Sequence, residues 1–191
     1  MAQKLVVLSG YPRSGKSTVT KFMQEELGFA RLSIDDLRYN MYGMSFPEMV
    51  AYFGGGDFQS PEYQREEELL RDVLQIQKMA HLMANKSVVL DGTFGYNQWR
   101  WELLCPSYGR LHHDSDIARY LIMVDVDRKE LERRALTSAR DPSLLRKWDE
   151  FWEEPDFIYP GEGTPKLVRV RNNNTDDFSR SQDVLRALRS T

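Results

Sequence analysis

The residues best equipped for chemistry lie near the start of the chain. Gly10-Tyr-Pro-Arg-Ser-Gly15-Lys16-Ser17 matches the pattern G-x-x-x-x-G-K-[ST] at every fixed position. Glycines at those positions let the backbone bend until successive N–H groups converge, and a helix starting directly behind adds the positive end of its dipole. Such a loop binds phosphate. Gly10, Pro12, Arg13, Ser14, Gly15 and Thr18 are expected around the phosphates of ATP, with Lys16 bridging the β- and γ-phosphates and Ser17 ligating Mg²⁺.

A phosphate loop serves kinases, switches and motors alike, so other charged residues must discriminate among them. Asp35 and Asp36 close a short apolar stretch, and Arg38 lies one helical turn after Asp35 on the same face. A right-handed crossover would return that strand beside the first and bring Asp35 near the γ-phosphate. There a carboxylate can deprotonate an acceptor hydroxyl, and Arg38 can hold an anionic group on the acceptor. Both aspartates also suit the first turn of a helix, where the dipole favours negative charge. Across from the loop, cations must balance charge on the transferring phosphoryl group, and Arg133, Arg134 and Arg140 are the candidates. Arg133 and Arg140 share a helical face and are expected to act together, whereas Arg134 points about a third of a turn away. The alternative is that all three are ordinary solvated residues.

These residues need a scaffold, and the hydrophobic pattern supplies one. Lys4 to Ser9, Phe29 to Ser33, Ser87 to Leu90, Arg119 to Val126 and Lys166 to Val170 read as strands, several of them apolar on both faces. Helices are predicted between them. The first carries Val19, Phe22, Met23 and Leu27 and is capped by Gly28. A long one opens at Ser60-Pro61 with a seam of Leu69, Val73, Ile76, Ala80 and Met83, and a third opens at Asp127 with Glu130 as an acidic capping box. Val184, Leu185 and Leu188 fall on one face of a closing helix. Alternating strands and helices predict an α/β fold with a mostly parallel five-stranded sheet and ligands beyond the carboxyl ends of its strands. Residues 43–59, with Gly54, Gly55 and Gly56, are expected to form a flap, and residues 128–156 a helical lid.

The 191 residues suit a single domain, and 41% hydrophobic with 29% charged residues is ordinary globular composition. With 26 Lys+Arg against 29 Asp+Glu the formal charge is −3, which argues against broad, non-specific nucleic-acid binding. Cys105 has no partner for a disulfide, and no apolar run approaches the roughly 20 residues of a membrane span. A soluble protein of the reducing cytoplasm, without membrane contact, is expected; its oligomeric state stays open. His112, His113, Asp114 and Asp116 read as a solvated loop, Trp148 and Trp152 as core.

From Lys4 to about Arg140 the chain resembles the small P-loop kinases grouped around bacteriophage-type polynucleotide 5′-kinases and zeta-toxin-like kinases. The resemblance rests on the phosphate loop, on Asp35-Asp-Leu-Arg38, on Val88-Val-Leu-Asp91-Gly-Thr93 and on an arginine-bearing lid. It implies a three-layer nucleoside-kinase-like sandwich with strand order 2-3-1-4-5, Asp35 as general base and Arg38 on an acceptor phosphate. It also places Asp91 and Thr93 at the acceptor-facing strand end, Asp91 serving equally as a Mg²⁺ ligand, and Asn172 to Asn174 near the adenine. The acidic run Asp149, Glu150, Glu153, Glu154 and Asp156 departs from the family and would repel a long nucleic acid. The leading expectation is therefore phosphoryl transfer from ATP to the 5′-hydroxyl of a nucleic-acid end or nucleotide. The alternatives are a small-molecule kinase acting on a nucleoside, sugar nucleotide or antibiotic, and an ATP-binding switch without transfer.

Overall fold

The computed structural model describes residues 3–104, 117–137, 143–156 and 165–173, together with 182, 184–186 and 188. Five parallel strands run in the order β2-β3-β1-β4-β5: β1 (Gln3–Ser9), β2 (Ala30–Ser33), β3 (Val88–Asp91), β4 (Ile117–Asp125) and β5 (Lys166–Arg171). The expected sheet and its order are therefore observed, but β2 pairs with β3 and not with β1, so the crossover after β1 does not return beside it. Because side chains alternate across a strand, β1 sends Leu5 and Val7 to one face and Val6 and Leu8 to the other, and each face has its own core. The first core packs under α2 (Ile34–Tyr42), α3 (Phe46–Gly54), α4 (Pro61–Met83) and α5 (Asn97–Leu104); the second packs under α1 (Lys16–Leu27) with Val184 and Leu188. Two further helices follow β4, α6 (Arg128–Thr137) and α7 (Ser143–Asp149).

Register does the positioning. Ser33 lies opposite Asp91, Asp91 opposite Leu8, and Leu8 opposite Ile122, so the ends of β2, β3 and β1 finish side by side. The phosphate loop, the start of α2 and Asp91 thus emerge along one edge. Ser33 caps α2 by accepting from the Asp36 N–H at 3.2 Å, and this puts Asp35 in its first turn.

Four expectations are corrected. The buried stripe of α4 is Tyr63, Glu67, Leu70, Leu74, Lys78 and Leu82, whereas Leu69, Ile76 and Met83 are 46%, 68% and 70% exposed. Both stripes have helical spacing; the buried one was overlooked because it holds a carboxylate and an ammonium. Segment 43–59 is largely α3, a helix with a Ser45–Glu48 capping box and with Met49 and Val50 in the core. Glu130 does not close a box with Asp127, because two arginines of its own helix take its carboxylate and Asn173 accepts the Asp127 N–H. Trp148 is half-buried in the lining of a large cleft, outside the core. Arg140, Cys105, the 112–116 histidine loop and Asn174 lie outside the described residues.

The two stripes of α4 make opposite predictions. Leu74→Ala should destabilise the fold by about 2–5 kcal/mol, and Ile76→Ala by less than about 0.5 kcal/mol. Urea denaturation midpoints of the two variants check this assignment.

Candidate active site

At the carboxyl edge of the sheet lies a cleft of about 1120 Å³. Its first end is the phosphate loop. Gly10 has no room for a side chain, since a Cβ there would sit 2.7 Å from both the Val124 carbonyl oxygen and Ser14 Oγ. Arg13 and Gly15 turn the loop with φ of 70° and 94°. Lys16 begins α1, and its ammonium donates to the carbonyls of Gly10 at 2.7 Å and Tyr11 at 2.8 Å. Burial pushes the Lys16 pKa down to about 8, against the opposing pull of Asp91 and Asp35. Gly15, Ser17 and Thr18 line the cleft with Pro12 and Arg13, while Ser14 is fully buried beneath them.

Asp91 is nearly buried, and its Oδ2 accepts from Arg31 at 2.6 Å and Thr20 at 2.9 Å. Arg31 also donates to Asp36 at 2.5 Å. Sequence reasoning overlooked Arg31, which stands mid-strand where no motif marks it. Thr93 lines the cleft, and its carbonyl supports the loop by accepting from Ser9 Oγ at 2.9 Å. Ser17 and Asp91 both present hard oxygen donors to the cleft, a fit for Mg²⁺, which takes one or two protein oxygens alongside phosphates.

The second end of the cleft belongs to α2, α4 and α5. Asp35 is exposed to it, and its Oδ1 accepts from Arg38 Nη1 at 2.5 Å. Arg38 is almost entirely buried; its Nη2 reaches both oxygens of Glu67 at 3.1 and 3.2 Å, and Tyr63 donates to Glu67 at 2.8 Å. Burial works against the Arg38 charge, yet Glu67 and Asp35 outweigh it and raise its pKa. Glu67 had no motif to reveal it. Four further charged groups line this end, Glu68, Arg71, Asp72 and Glu102, with Arg71 lying 4.6 Å from the Trp99 ring centroid.

The lid arginines fall out differently from expectation. Arg133 is more than half exposed, pairs with Glu130 at 2.7 Å and lies outside the cleft lining. Arg134 lines the cleft, donating to Glu130 at 2.7 Å, to the Arg13 carbonyl at 3.2 Å and to the Asn172 carbonyl at 2.9 Å. The inward face of α6 is set by Leu131 and Ala135, which pack with Leu145, and Arg134 stands beside them one turn after Leu131. Spacing alone did not give the direction in which Arg133 points. Asn172 is buried and donates from Nδ2 to the Ser14 carbonyl, which ties the end of β5 to the loop. The acidic run is engaged elsewhere: Asp149 with Arg128, Glu153 with the Asn97 N–H, and Glu154 with Arg169.

A parallel sheet in this order, with a lysine-bearing glycine loop between β1 and α1, defines the P-loop class in its kinase-like form. Residues 5–143 match the family model described as an AAA domain, and the chain belongs to that family. No curated protein matches it. Solved structures share the fold at low identity. A gluconokinase from Sinorhizobium meliloti 1021 is 17% identical with a TM-score of 0.66, over 98% of this chain and 92% of that one. A shikimate kinase from Aquifex aeolicus vf5 is 16% identical with a TM-score of 0.54, over 97% and 96%. A chain of the Pnkp1/Rnl/Hen1 complex is 18% identical with a TM-score of 0.53, over 91% of this chain and 48% of that one.

The lowered Lys16 pKa has a measurable sign. The ammonium is charged below pH 8 and loses its proton above it, whereas bound phosphate would hold the proton; above pH 8, binding must take a proton up. The Kd for ATP should therefore weaken by up to tenfold per unit between pH 8 and 9.5. Lys16→Arg, always charged, should flatten that slope. Calorimetry in buffers of different ionisation enthalpy reads both, and a flat wild-type profile would remove Lys16 from phosphate binding.

Proposed function

We propose that the protein is an ATP-dependent kinase that transfers the γ-phosphoryl group to a hydroxyl of a small, uncharged or cationic acceptor. The observation that carries this reading is the division of charge along the cleft. Arg13, Lys16 and Arg134 surround the loop end, whereas the far end presents Asp35, Glu67, Glu68, Asp72 and Glu102 against Arg38 and Arg71. A polyanion fits the first end and is repelled from the second.

In this reading the loop amides and Lys16 hold the triphosphate, and Arg134 moves from the neutral carbonyls of Arg13 and Asn172 to the charge on the transferring group. Ser17 and Asp91 would hold Mg²⁺, which would supply positive charge to the phosphate oxygens. Asp35 takes the proton of the acceptor hydroxyl as its oxygen bonds to the γ-phosphorus and the bond to the bridging oxygen breaks, leaving ADP. Arg38, tied to Glu67, orients Asp35. Thr93 borders the acceptor beside Asp91.

A nucleic-acid 5′ end, the leading expectation from sequence, carries phosphate next to its reacting hydroxyl. Arg38 would have to take that phosphate, and it is already engaged by two carboxylates. This favours the small-molecule acceptor. A switch without transfer would have no use for Asp35 held toward the loop by a buried arginine.

Asp35→Asn should lower turnover by roughly 10²–10⁴-fold while ATP affinity, measured by calorimetry, is retained. Equal loss of both would make Asp35 a nucleotide ligand. Among acceptors offered with labelled ATP, neutral polyols and aminoglycosides should outrun a 5′-hydroxyl oligonucleotide and a nucleoside 3′-phosphate; the reverse order would restore the nucleic-acid end.

Arg134→Ala should reduce kcat by roughly 10²–10³-fold, and Arg133→Ala by no more than about twofold. Steady-state kinetics on the best acceptor compare the two directly. Equal losses would mean that α6 acts through its fold and not through Arg134.

A further inference from the structure

Beside the acceptor end of the cleft lies a second cavity of about 220 Å³, and nothing in the transfer chemistry uses it. Phe46, Val50 and Ala51 of α3 form one wall, and Phe58, Trp148 and Phe151 face them. Phe46, Glu67, Trp99 and Trp148 line both cavities, so the side pocket opens toward the acceptor end. Three of the polar groups at its border are paired within the protein. Tyr63 donates to Glu67, Glu67 accepts from Arg38, and Gln64 donates to the Phe58 carbonyl at 2.6 Å.

We propose that the acceptor carries an apolar ring, an aryl group, that seats in this pocket while its hydroxyl lies at Asp35. This rests on the kinase reading above and names the acceptor class more closely. The volume fits: an apolar cavity of ~150 Å³ takes a benzene ring, so 220 Å³ takes one with small substituents. The walls fit as well, since Phe58 and Phe151 meet edge to face at 4.6 Å, and Phe46 lies 5.8 Å from Trp148, both spacings at which aromatic rings attract. A mostly aromatic and aliphatic lining favours an apolar ring over a nucleobase or sugar, whose several edge groups each need a partner. Reach is set by Phe46, whose ring centroid is 5.4 Å from the Arg38 guanidinium carbon, and Arg38 in turn holds Asp35. Phe46 thus links the side pocket to the arginine that holds Asp35. The charge at the acceptor end adds that the remainder of the molecule is neutral or cationic.

The test uses matched acceptors, propane-1,2-diol and its 3-phenyl derivative, with labelled ATP and the full chain. The phenyl group should raise kcat/KM by roughly ten- to fiftyfold. Ala51→Phe, which fills the pocket from a helix position with an exposed side, should bring the ratio of the two acceptors down at least fivefold. Binding of benzyl alcohol, followed by the fluorescence of Trp99 and Trp148, gives a readout independent of transfer; it should saturate in the wild type and be lost in Ala51→Phe. Equal kcat/KM for both diols, or a ratio untouched in a natively folded Ala51→Phe, overturns the proposal. If neither diol is phosphorylated and ATP transfer to every other acceptor also fails, the kinase reading falls. The pocket is then judged by benzyl alcohol alone: saturable binding lost in Ala51→Phe upholds an aryl site, and no binding overturns it.

Discussion

A buried ammonium ion is the constraint to which the rest of this molecule answers. Lys16 is about nine-tenths buried, and a cation taken out of water is tolerated only where oxygen atoms replace its hydration. Two carbonyls of the glycine loop do this directly, and Asp91 and Asp35 contribute through the field. Those four groups come from the ends of three strands, so the ammonium can be accommodated only if β1, β2 and β3 finish level. The parallel register delivers that, with Ser33, Asp91 and Leu8 paired across the sheet. Asp91 is then itself a buried anion, and Arg31 and Thr20 satisfy it in turn.

The same logic runs through the other end of the cleft. Arg38 is the buried cation there, Glu67 its main counter-charge, and Tyr63 completes the carboxylate's hydrogen bonds. This chain of buried pairs fixes Asp35, the one member that stays exposed. An exposed carboxylate held by a buried arginine keeps its orientation without losing access to a substrate. The arrangement costs desolvation, and removing one partner would strand the other; pairs of this kind specify geometry more than they add stability.

How much of this was readable from the chain alone differs by type of signal. The five strands were legible because fully apolar, β-branched runs such as Leu5 to Leu8 and Leu121 to Val124 suit few other positions. The loop was legible because glycine, lysine and serine at fixed spacing have a single dominant use. The α4 stripe was not, because Glu67 and Lys78 look like surface residues until their partners are known. Lys78 is fully buried, with its ammonium on the Leu103 carbonyl at 3.0 Å. Arg31 and Glu67 were missed for the same reason: each matters through a partner more than 25 residues away, and one sequence does not disclose pairs. Arg133 and Arg134 differ by one position on a helix whose orientation is decided by Leu131 and Ala135, so spacing alone could not choose between them.

The contacts made by Lys16 and Arg134 share a feature that explains how a structure so well satisfied can still bind a polyanion. Both cations donate to neutral backbone carbonyls, Gly10 and Tyr11 for the lysine, Arg13 and Asn172 for the arginine, whose Nε holds the Glu130 carboxylate as well. A cation's hydrogen bond to a neutral carbonyl lacks the full charge–charge attraction that the same donor gains from an ionised phosphate. Exchange of carbonyl for phosphate is therefore downhill at each cation. Arg31 and Arg38 sit on carboxylates, where the same exchange gains little, whereas Lys16 and the two Nη groups of Arg134 face carbonyls and gain from it. Which contacts a phosphate can replace is thus set by the charge of the acceptor that each N–H already holds, and the loop beneath them is braced by Asn172 at the end of β5.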